Sequence, residues 1–197
     1  PLAFYKLDHR EGHDDDLNPR DLANLTRNLW VAYERPVNWQ KVSLKASLGD
    51  LLEAPVVFLS GTRAVWIRKE GVEKLRDYVL SGGTILAEPS DGSPAFARSI
   101  EKLVRRMFPK KEYPGFGFKA LEADHGVYSG LEWTQRPRLR GASDGSRTFF
   151  FLSDDYLSAE WQAGRRDGDA FQFARSLLYY VRGDQGLRER FSTVIPR

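Results

Sequence analysis

Cysteine is absent from this sequence of 197 residues, and histidine occurs only three times. The lack of cysteine excludes disulfide bonds, zinc–thiolate sites and a thiol nucleophile. Long hydrophobic runs are absent too. Apolar stretches such as residues 56–59 are far below the roughly 20 residues that a membrane-crossing helix needs. The sequence therefore predicts no integral membrane segment.

The composition is that of a folded domain. Hydrophobic residues make up 41% of the chain and aromatic residues 13%, which argues against disorder. The length suits one domain over residues 1–197 with a sizeable core. The net charge of +3 is mild, and no recognisable nucleic-acid-binding module accompanies it. We therefore expect no nucleic-acid partner.

Strand-like and helix-like segments alternate along the chain. Short apolar segments predict buried strands at residues 3–7, 56–59, 84–87 and 148–152, with a further strand at 42–44. Helical spacing of apolar residues predicts a first helix after Asn18 and further helices over about residues 70–80, 93–108 and 169–181. This alternation predicts an α/β fold: a three-layer sandwich with a mostly parallel sheet.

The first predicted helix has Asn18 as its N-cap and Pro19 at its first position. Its predicted buried face consists of apolar residues at helical spacing: Leu22, Leu25, Leu29, Trp30 and Tyr33.

Strand ends in a parallel sheet share one edge, and ligands bind there. Two predicted strands are followed at that edge by Ser60 and Gly61, and by Glu88 and Asp91. Helix N-terminal N–H groups at this edge favour polar or anionic ligands. We therefore predict these four residues as ligand-binding residues.

A catalytic hypothesis centres on Ser90, which lies on the turn after the strand at 84–87. Ser90 could act as a nucleophile if a base contacted it. His125 is the candidate base, and Asp154 is a candidate to orient it. The alternative is that Ser90 or Asp91 caps the next helix, which is the commoner role, and no Gly-x-Ser-x-Gly motif surrounds Ser90.

Each histidine has an aspartate beside it: Asp8 and His9, His13 and Asp14, Asp124 and His125. If the first loop met the His125 loop, a His/Asp metal site would be possible. The alternatives are a solvated acidic first loop and a structural hydrogen bond for His125. Because no recognised ligand spacing is present, we predict no metal and no cofactor.

Several segments together resemble a known family. They are the strand at 3–7, the block PVVFLSGTRAVWIRKEGVEKLRDYVLSGGTILAEPSDG at 55–92, DHGVYS at 124–129 and RTFFFLSDD at 147–155. Over residues 3–183 the sequence resembles domain-of-unknown-function family 4159. The resemblance implies a branch of the class I glutamine amidotransferase-like fold, which is flavodoxin-like. It also implies bacterial proteins, often exported, with no established activity.

The resemblance bears on function as well. Amidotransferases of this fold carry a cysteine nucleophile on the turn where this sequence has Glu88, Pro89, Ser90 and Asp91. We therefore expect a non-catalytic binding or interaction module, whose partner is a protein or a small polar ligand. A hydrolase using Ser90 and His125 is the alternative. We also expect an exported, extracytoplasmic protein, with any signal segment absent from this chain, which opens at Pro1.

Overall fold

The computed structural model describes residues 2–9, 17–34, 36–129, 131–165 and 168–192. Its strands are β1 (Leu2–Asp8), β2 (Val37–Ser43), β3 (Val56–Gly61), β4 (Thr84–Pro89), β5 (Phe118–Ala120), β6 (Leu139–Ser143) and β7 (Thr148–Ser153). Its helices are α1 (Asp21–Tyr33), α2 (Leu48–Leu52), α3 (Lys69–Leu80), α4 (Pro94–Met107), α5 (Leu157–Ala163) and α6 (Asp169–Ser192).

These strands form one sheet in the order β2-β1-β3-β4-β7-β6-β5. The first five in that order are parallel to their neighbours, while β6 and β5 are antiparallel additions. The mostly parallel sheet is thus confirmed, and the four predicted core strands are neighbours in it. The strand order reverses between β1 and β3, and in such sheets ligands bind above the carboxyl ends at that point.

Helices cover both faces of the sheet. Successive side chains of a strand point to opposite faces. In β3, Val57 and Leu59 pack with α2, α3 and α4, whereas Val56 and Phe58 pack with α1, α5 and α6. The predicted α/β architecture with helices on both faces is therefore observed. Within the described residues, no helix is long and apolar enough to span a membrane.

Two helix predictions need correction at α1. The helix begins at Asp21, and Arg20 rather than Asn18 is its N-cap residue. Asn18 instead turns its side chain towards Tyr156. Trp30, which the helical spacing places on the buried face, is 55% exposed. The buried face of α1 is therefore narrower than the apolar pattern suggests.

The irregular-looking parts of the sequence hold elements that the periodicity does not predict. β2 extends over seven residues, whereas the sequence predicts a strand of three. The prediction is too short because only two residues of the strand, Val37 and Val42, are buried. β5 and β6 lie in the Gly- and Pro-rich region, and α5 follows β7. These elements are short or mostly exposed, so their apolar patterns are weak.

Candidate functional site

A groove of about 510 Å³ opens at the carboxyl ends of β1 and β2. Asp8, His9 and Ser43, at or just beyond the strand ends, form one wall. The turn after β2 and the segment that leads into α3 supply the remaining lining: Leu44, Lys45, Trp66, Ile67, Arg68, Glu70, Gly71 and Lys74. The groove therefore lies at the predicted edge, next to the point where the strand order reverses.

His9 is held in place by the end of β3. Its Nε2 lies 3.0 Å from the carbonyl oxygen of Ser60. Since that oxygen only accepts, Nε2 carries the proton and Nδ1 is the acceptor in the neutral ring. A Cβ on Gly61 would come within 3.0 Å of the Phe96 ring and 3.3 Å of His9 Nε2. Ser60 and Gly61 thus position His9, and neither residue is part of the groove lining.

The opposite wall of the groove carries aromatic and cationic side chains. Trp66 is 73% exposed in the loop between β3 and α3. Arg68 is the N-cap residue of α3, and both Arg68 and Lys45 are exposed. Lys74 donates to the carbonyls of Leu44 and Ala46 and so fixes the turn after β2. A ligand here would meet a flat apolar surface and positive charge.

A buried polar cluster lies beneath the same edge, on the α1 side of the sheet. Lys6 Nζ is 2.7 Å from Asp21 Oδ2, and both side chains are almost fully buried. Lys6 also donates to the carbonyl of Asn18, at 3.2 Å. The Asn18 amide donates to the Tyr156 hydroxyl at 2.8 Å and to Ser158 Oγ at 2.9 Å. The cluster therefore ties β1 to the beginnings of α1 and α5.

Glu88, at the end of β4, belongs to this cluster and is fully buried. The Ser158 N–H donates to Glu88 Oε2 at 2.9 Å, and Ser158 Oγ hydrogen-bonds with Oε1. The pKa of Glu88 is raised to about 7, mainly by burial and to a smaller extent by the nearby Asp21, against the lowering effect of these bonds. Glu88, predicted to bind ligand, is thus enclosed by protein and is part of the support below the edge.

Ser90 and Asp91 form the turn after β4. Ser90 is buried, whereas Asp91 is exposed with a φ of 52°, a left-handed conformation that few non-glycine residues adopt. Neither residue caps α4. Ser93 is the N-cap, since its Oγ accepts from the Phe96 N–H at 3.2 Å and also donates to the Thr62 carbonyl. The prediction that Ser90 or Asp91 caps this helix is wrong.

Replacing the cap gives a direct check of this assignment. Ser93→Ala should lower the free energy of unfolding by about 1–2 kcal/mol, because it removes the acceptor for the Phe96 N–H and the bond to Thr62. Denaturant titration measures the loss. Ser90→Ala is the matched control and should cost less. A larger loss with Ser90→Ala would contradict the assignment.

His125 lies at the other end of the sheet from Ser90. Its Nε2 is 2.9 Å from Thr148 Oγ1, and its Nδ1 accepts from the Val127 N–H at 3.1 Å. Thr148 begins β7, while Ser90 follows the last residue of the parallel strand β4. At about 3.3 Å per residue, the strand separates these two positions by roughly 20 Å. The predicted Ser90–His125 contact is therefore not formed.

His125 has a structural environment of its own. It borders a cavity of about 660 Å³ together with Tyr180 and Thr148. Burial lowers the pKa of His125, and the neighbouring Asp124 offsets this in part. The neutral ring donates from Nε2 to Thr148 and caps the turn Gly126–Tyr128 through Nδ1. This arrangement agrees with the alternative of a histidine that bonds its own loop.

Asp154, the third member of the catalytic hypothesis, stands at the carboxyl edge beyond β7. It pairs with Arg140 at 2.9 Å, and Arg140 also contacts Glu101 at 2.5 Å. Because His125 lies at the opposite end, Asp154 does not orient it.

A metal site is not formed by the described histidines either. His9 and His125 lie at opposite ends of the sheet. Within the part of the chain that the structure describes, no group of three or more His, Cys, Asp or Glu side chains could hold a metal ion. His13 and Asp14 lie outside the described residues.

Sequence reasoning missed the buried cluster, although one signal for it was present. Lys6 interrupts an otherwise apolar strand that is buried on both sides, and a buried lysine needs a partner. The sequence indicates only that its partner Asp21 lies near the beginning of a helix. No local signal points to Ser158, because it meets Glu88 only through the tertiary fold.

Comparisons with known proteins place the chain in a family. Residues 3–181 match the family described as "Domain of unknown function (DUF4159)". Among solved structures, a putative GMP synthase component from Thermoplasma acidophilum is similar, with a TM-score of 0.48 and 12% sequence identity over 95% of this chain and 98% of that chain. A comparison with curated proteins gave no match. A likeness this distant carries no argument about function.

Proposed function

We propose that this chain, which belongs to the family described as Domain of unknown function (DUF4159), is a binding module rather than an enzyme. Its ligand is a small polar molecule with a flat face, held in the groove at the carboxyl ends of β1 and β2. The observation that carries this proposal is the groove itself, because it combines an exposed Trp66 with the fixed His9 and the cations of Lys45 and Arg68.

The position of the groove supports the proposal. The parallel strands follow the order β2-β1-β3-β4-β7, which is the order 2-1-3-4-5 of flavodoxin-like sheets. In that arrangement ligands bind where the order reverses, between the first and third strands. On this basis we assign the domain to the flavodoxin-like, amidotransferase-like group of folds.

The lining suggests how recognition would work. The indole of Trp66 offers a flat surface for stacking, and Arg68 and Lys45 offer positive charge for an anionic group. His9 contributes to the groove wall, where the hydrogen bond from its Nε2–H to the Ser60 carbonyl holds the ring. Binding without catalysis is favoured because the separation of Ser90 from His125 leaves the serine without that base.

A ligand screen tests the proposal. We expect a member of a panel of nucleoside monophosphates, sugar phosphates and aromatic amino acids to raise the melting temperature and to quench tryptophan fluorescence. Trp66→Ala and Arg68→Ala should each weaken that binding about tenfold or more, which corresponds to about 1.4 kcal/mol. Titration calorimetry on the purified chain measures the affinity.

A matched control uses Leu80→Ala, which removes an exposed apolar side chain at the other end of α3. It should bind the same compound with unchanged affinity. The proposal fails if no compound of the panel binds, or if binding survives both Trp66→Ala and Arg68→Ala. Measurable hydrolysis that is lost in Ser90→Ala would replace it with the hydrolase alternative.

A further inference from the structure

We infer that two copies of this chain pair through β2 and α1 to form a twofold-symmetric dimer with a continuous sheet. This interface lies at the side of the sheet and goes beyond the ligand-binding proposal. Three features carry the inference: an open edge strand, an exposed stripe on the helix beside it, and the self-complementary charges of that stripe.

The first feature is the edge strand. β2 ends the sheet, and no strand lies beyond it within the described part of the chain. It pairs with β1 over seven residues, and four consecutive residues, Asn38, Trp39, Gln40 and Lys41, are exposed. A long regular edge offers unpaired backbone groups to another strand. The other edge strand, β5, has only three residues and offers little to pair with.

The second feature is the outer side of α1. Arg27, Trp30 and Glu34 recur at helical spacing along it, and all three are exposed. Val31, next to Trp30, is 74% exposed. Trp39 of β2 lies on the same side of the sheet, because Val37 two residues earlier packs against α1. Large apolar side chains are thus concentrated on one outer side of the domain.

The third feature is charge complementarity. Arg27 and Glu34 form no ion pair with any described residue, although they stand at the two ends of the stripe. Two α1 helices that face each other in antiparallel orientation would place Arg27 against the partner's Glu34, twice by symmetry. Trp30 would then meet the partner's Val31 at the centre. An apolar centre with charged pairs around it is the usual anatomy of a specific interface.

The edge strand is self-complementary in the same orientation. Pairing β2 antiparallel to its copy about Gln40 sets Trp39 opposite the partner's Lys41 on the α1 side. A lysine near the face of a tryptophan is favourable. In this register no lysine lies directly opposite another lysine. Repulsion between lysines of two edge strands, which often prevents strand pairing, is therefore avoided.

The distances of such a dimer are consistent with close packing. Neighbouring strands are about 4.8 Å apart, so β2 would lie about 2.4 Å from the twofold axis and β1 about 7 Å from it. α1 packs against both strands. A helix above them lies about 5 Å from the axis, which puts the two α1 helices about 10 Å apart, a normal helix-packing distance. The same dimer geometry therefore allows both the pairing of the two β2 strands and the packing of the two α1 helices.

Analytical ultracentrifugation of the full chain tests the inference. We expect a species of about twice the chain mass of 22.5 kDa at concentrations near 50 μM. Arg27→Glu and Glu34→Arg should each weaken dimerisation about tenfold or more, because like charges then oppose each other. The double variant Arg27→Glu/Glu34→Arg should dimerise like the wild type, since the swap restores opposite charges.

Arg105→Glu, a charge reversal at an exposed site on α4, is the control and should leave dimerisation unchanged. Circular dichroism shows that each variant is folded. A monomeric wild type at 50 μM overturns the inference. So does dimerisation that is insensitive to both single reversals, or a double variant that stays as weak as the single ones. Ligand binding in the groove is measured separately, so either proposal can fail alone.

Discussion

The stability of this protein should fall by about 3 kcal/mol as the pH rises from about 4.5 to above 7, through Glu88 alone. Glu88 is completely buried at the end of β4, and burial raises its pKa from 4.5 to about 7. In the unfolded chain the same carboxyl is solvated and keeps its ordinary pKa. The difference of about 2.5 units sets the size of the effect, to within about a unit.

The direction follows from which state binds the proton more tightly. Because the folded state has the higher pKa, it holds the proton where the unfolded state has already lost it. The stabilising contribution is complete below pH 4.5. It is lost progressively as the pH rises through 7, where Glu88 must ionise beside Asp21 at a fully buried position.

Glu88→Gln isolates this contribution. Glutamine keeps an acceptor for the Ser158 N–H and a donor for Ser158 Oγ, but it cannot ionise. We expect urea titrations at pH 5 and pH 8 to show the variant gaining about 2.5 kcal/mol relative to the wild type over this interval, because part of the full effect is already lost at pH 5. His125, whose pKa is lowered by burial, titrates in both proteins, so the difference reports on Glu88.

Glu112→Gln, on an exposed turn, is the control for removing a carboxylate without burial. It should follow the wild-type curve. If Glu88→Gln also follows that curve between pH 5 and pH 8, Glu88 is ionised throughout this range in the folded protein. The buried cluster would then contain an ionised Glu88 and not a neutral one.

The parts of the fold that the sequence predicts are those with strong apolar patterns. β3, β4 and β7 are buried on both faces, and their continuous apolar runs have few other interpretations. The predicted β2 is too short because the middle of the strand is exposed. Trp30 is assigned to the buried face because helical spacing alone cannot tell the edge of an apolar stripe from its centre.

The candidate site could be predicted as a location but not as a set of contacts. Topology places the carboxyl ends of parallel strands together, and the groove is found at that edge. Which side chains face the ligand depends on strand phase and on helices far away in sequence. Glu88 follows Leu86 by two residues, so both point to the α1 side, where Ser158 encloses the carboxyl.

His125 shows a second limit of sequence reasoning. Its loop lies between β5 and β6, which run antiparallel at the far side of the sheet. β5 ends and β6 begins beside the carboxyl end of β7, so the chain must turn back within residues 121–125 to reach the amino end of β7, where His125 bonds Thr148. The short strands β5 and β6 have weak apolar patterns, and nothing local predicts that the chain turns back after β5. The position of the histidine could therefore not be derived from the sequence.

The largest single-site effect should come from Lys6. Its ammonium lies 2.7 Å from Asp21 Oδ2, and the two side chains are 6% and 1% exposed. Lys6→Met preserves most of the apolar stem over the Phe58 ring but removes the charge. Asp21 is then left as a buried carboxylate, near a second carboxyl at Glu88, without the ammonium that contacts it. We expect a loss of about 3–5 kcal/mol in the free energy of unfolding.

A double-mutant cycle separates this pair from a simple packing loss. In Lys6→Met/Asp21→Asn the buried charge is gone from both sides, and an acceptor remains for the Leu22 N–H. The double variant should therefore be more stable than the sum of the single losses predicts, by about 1–3 kcal/mol. Lys69→Met supplies the control, since the exposed Lys69–Glu73 pair, with 3.8 Å between charges, should contribute at most about 0.5 kcal/mol. Single losses that simply add would show that Lys6 and Asp21 stabilise the fold independently. The carboxyl edge would then not depend on their ion pair.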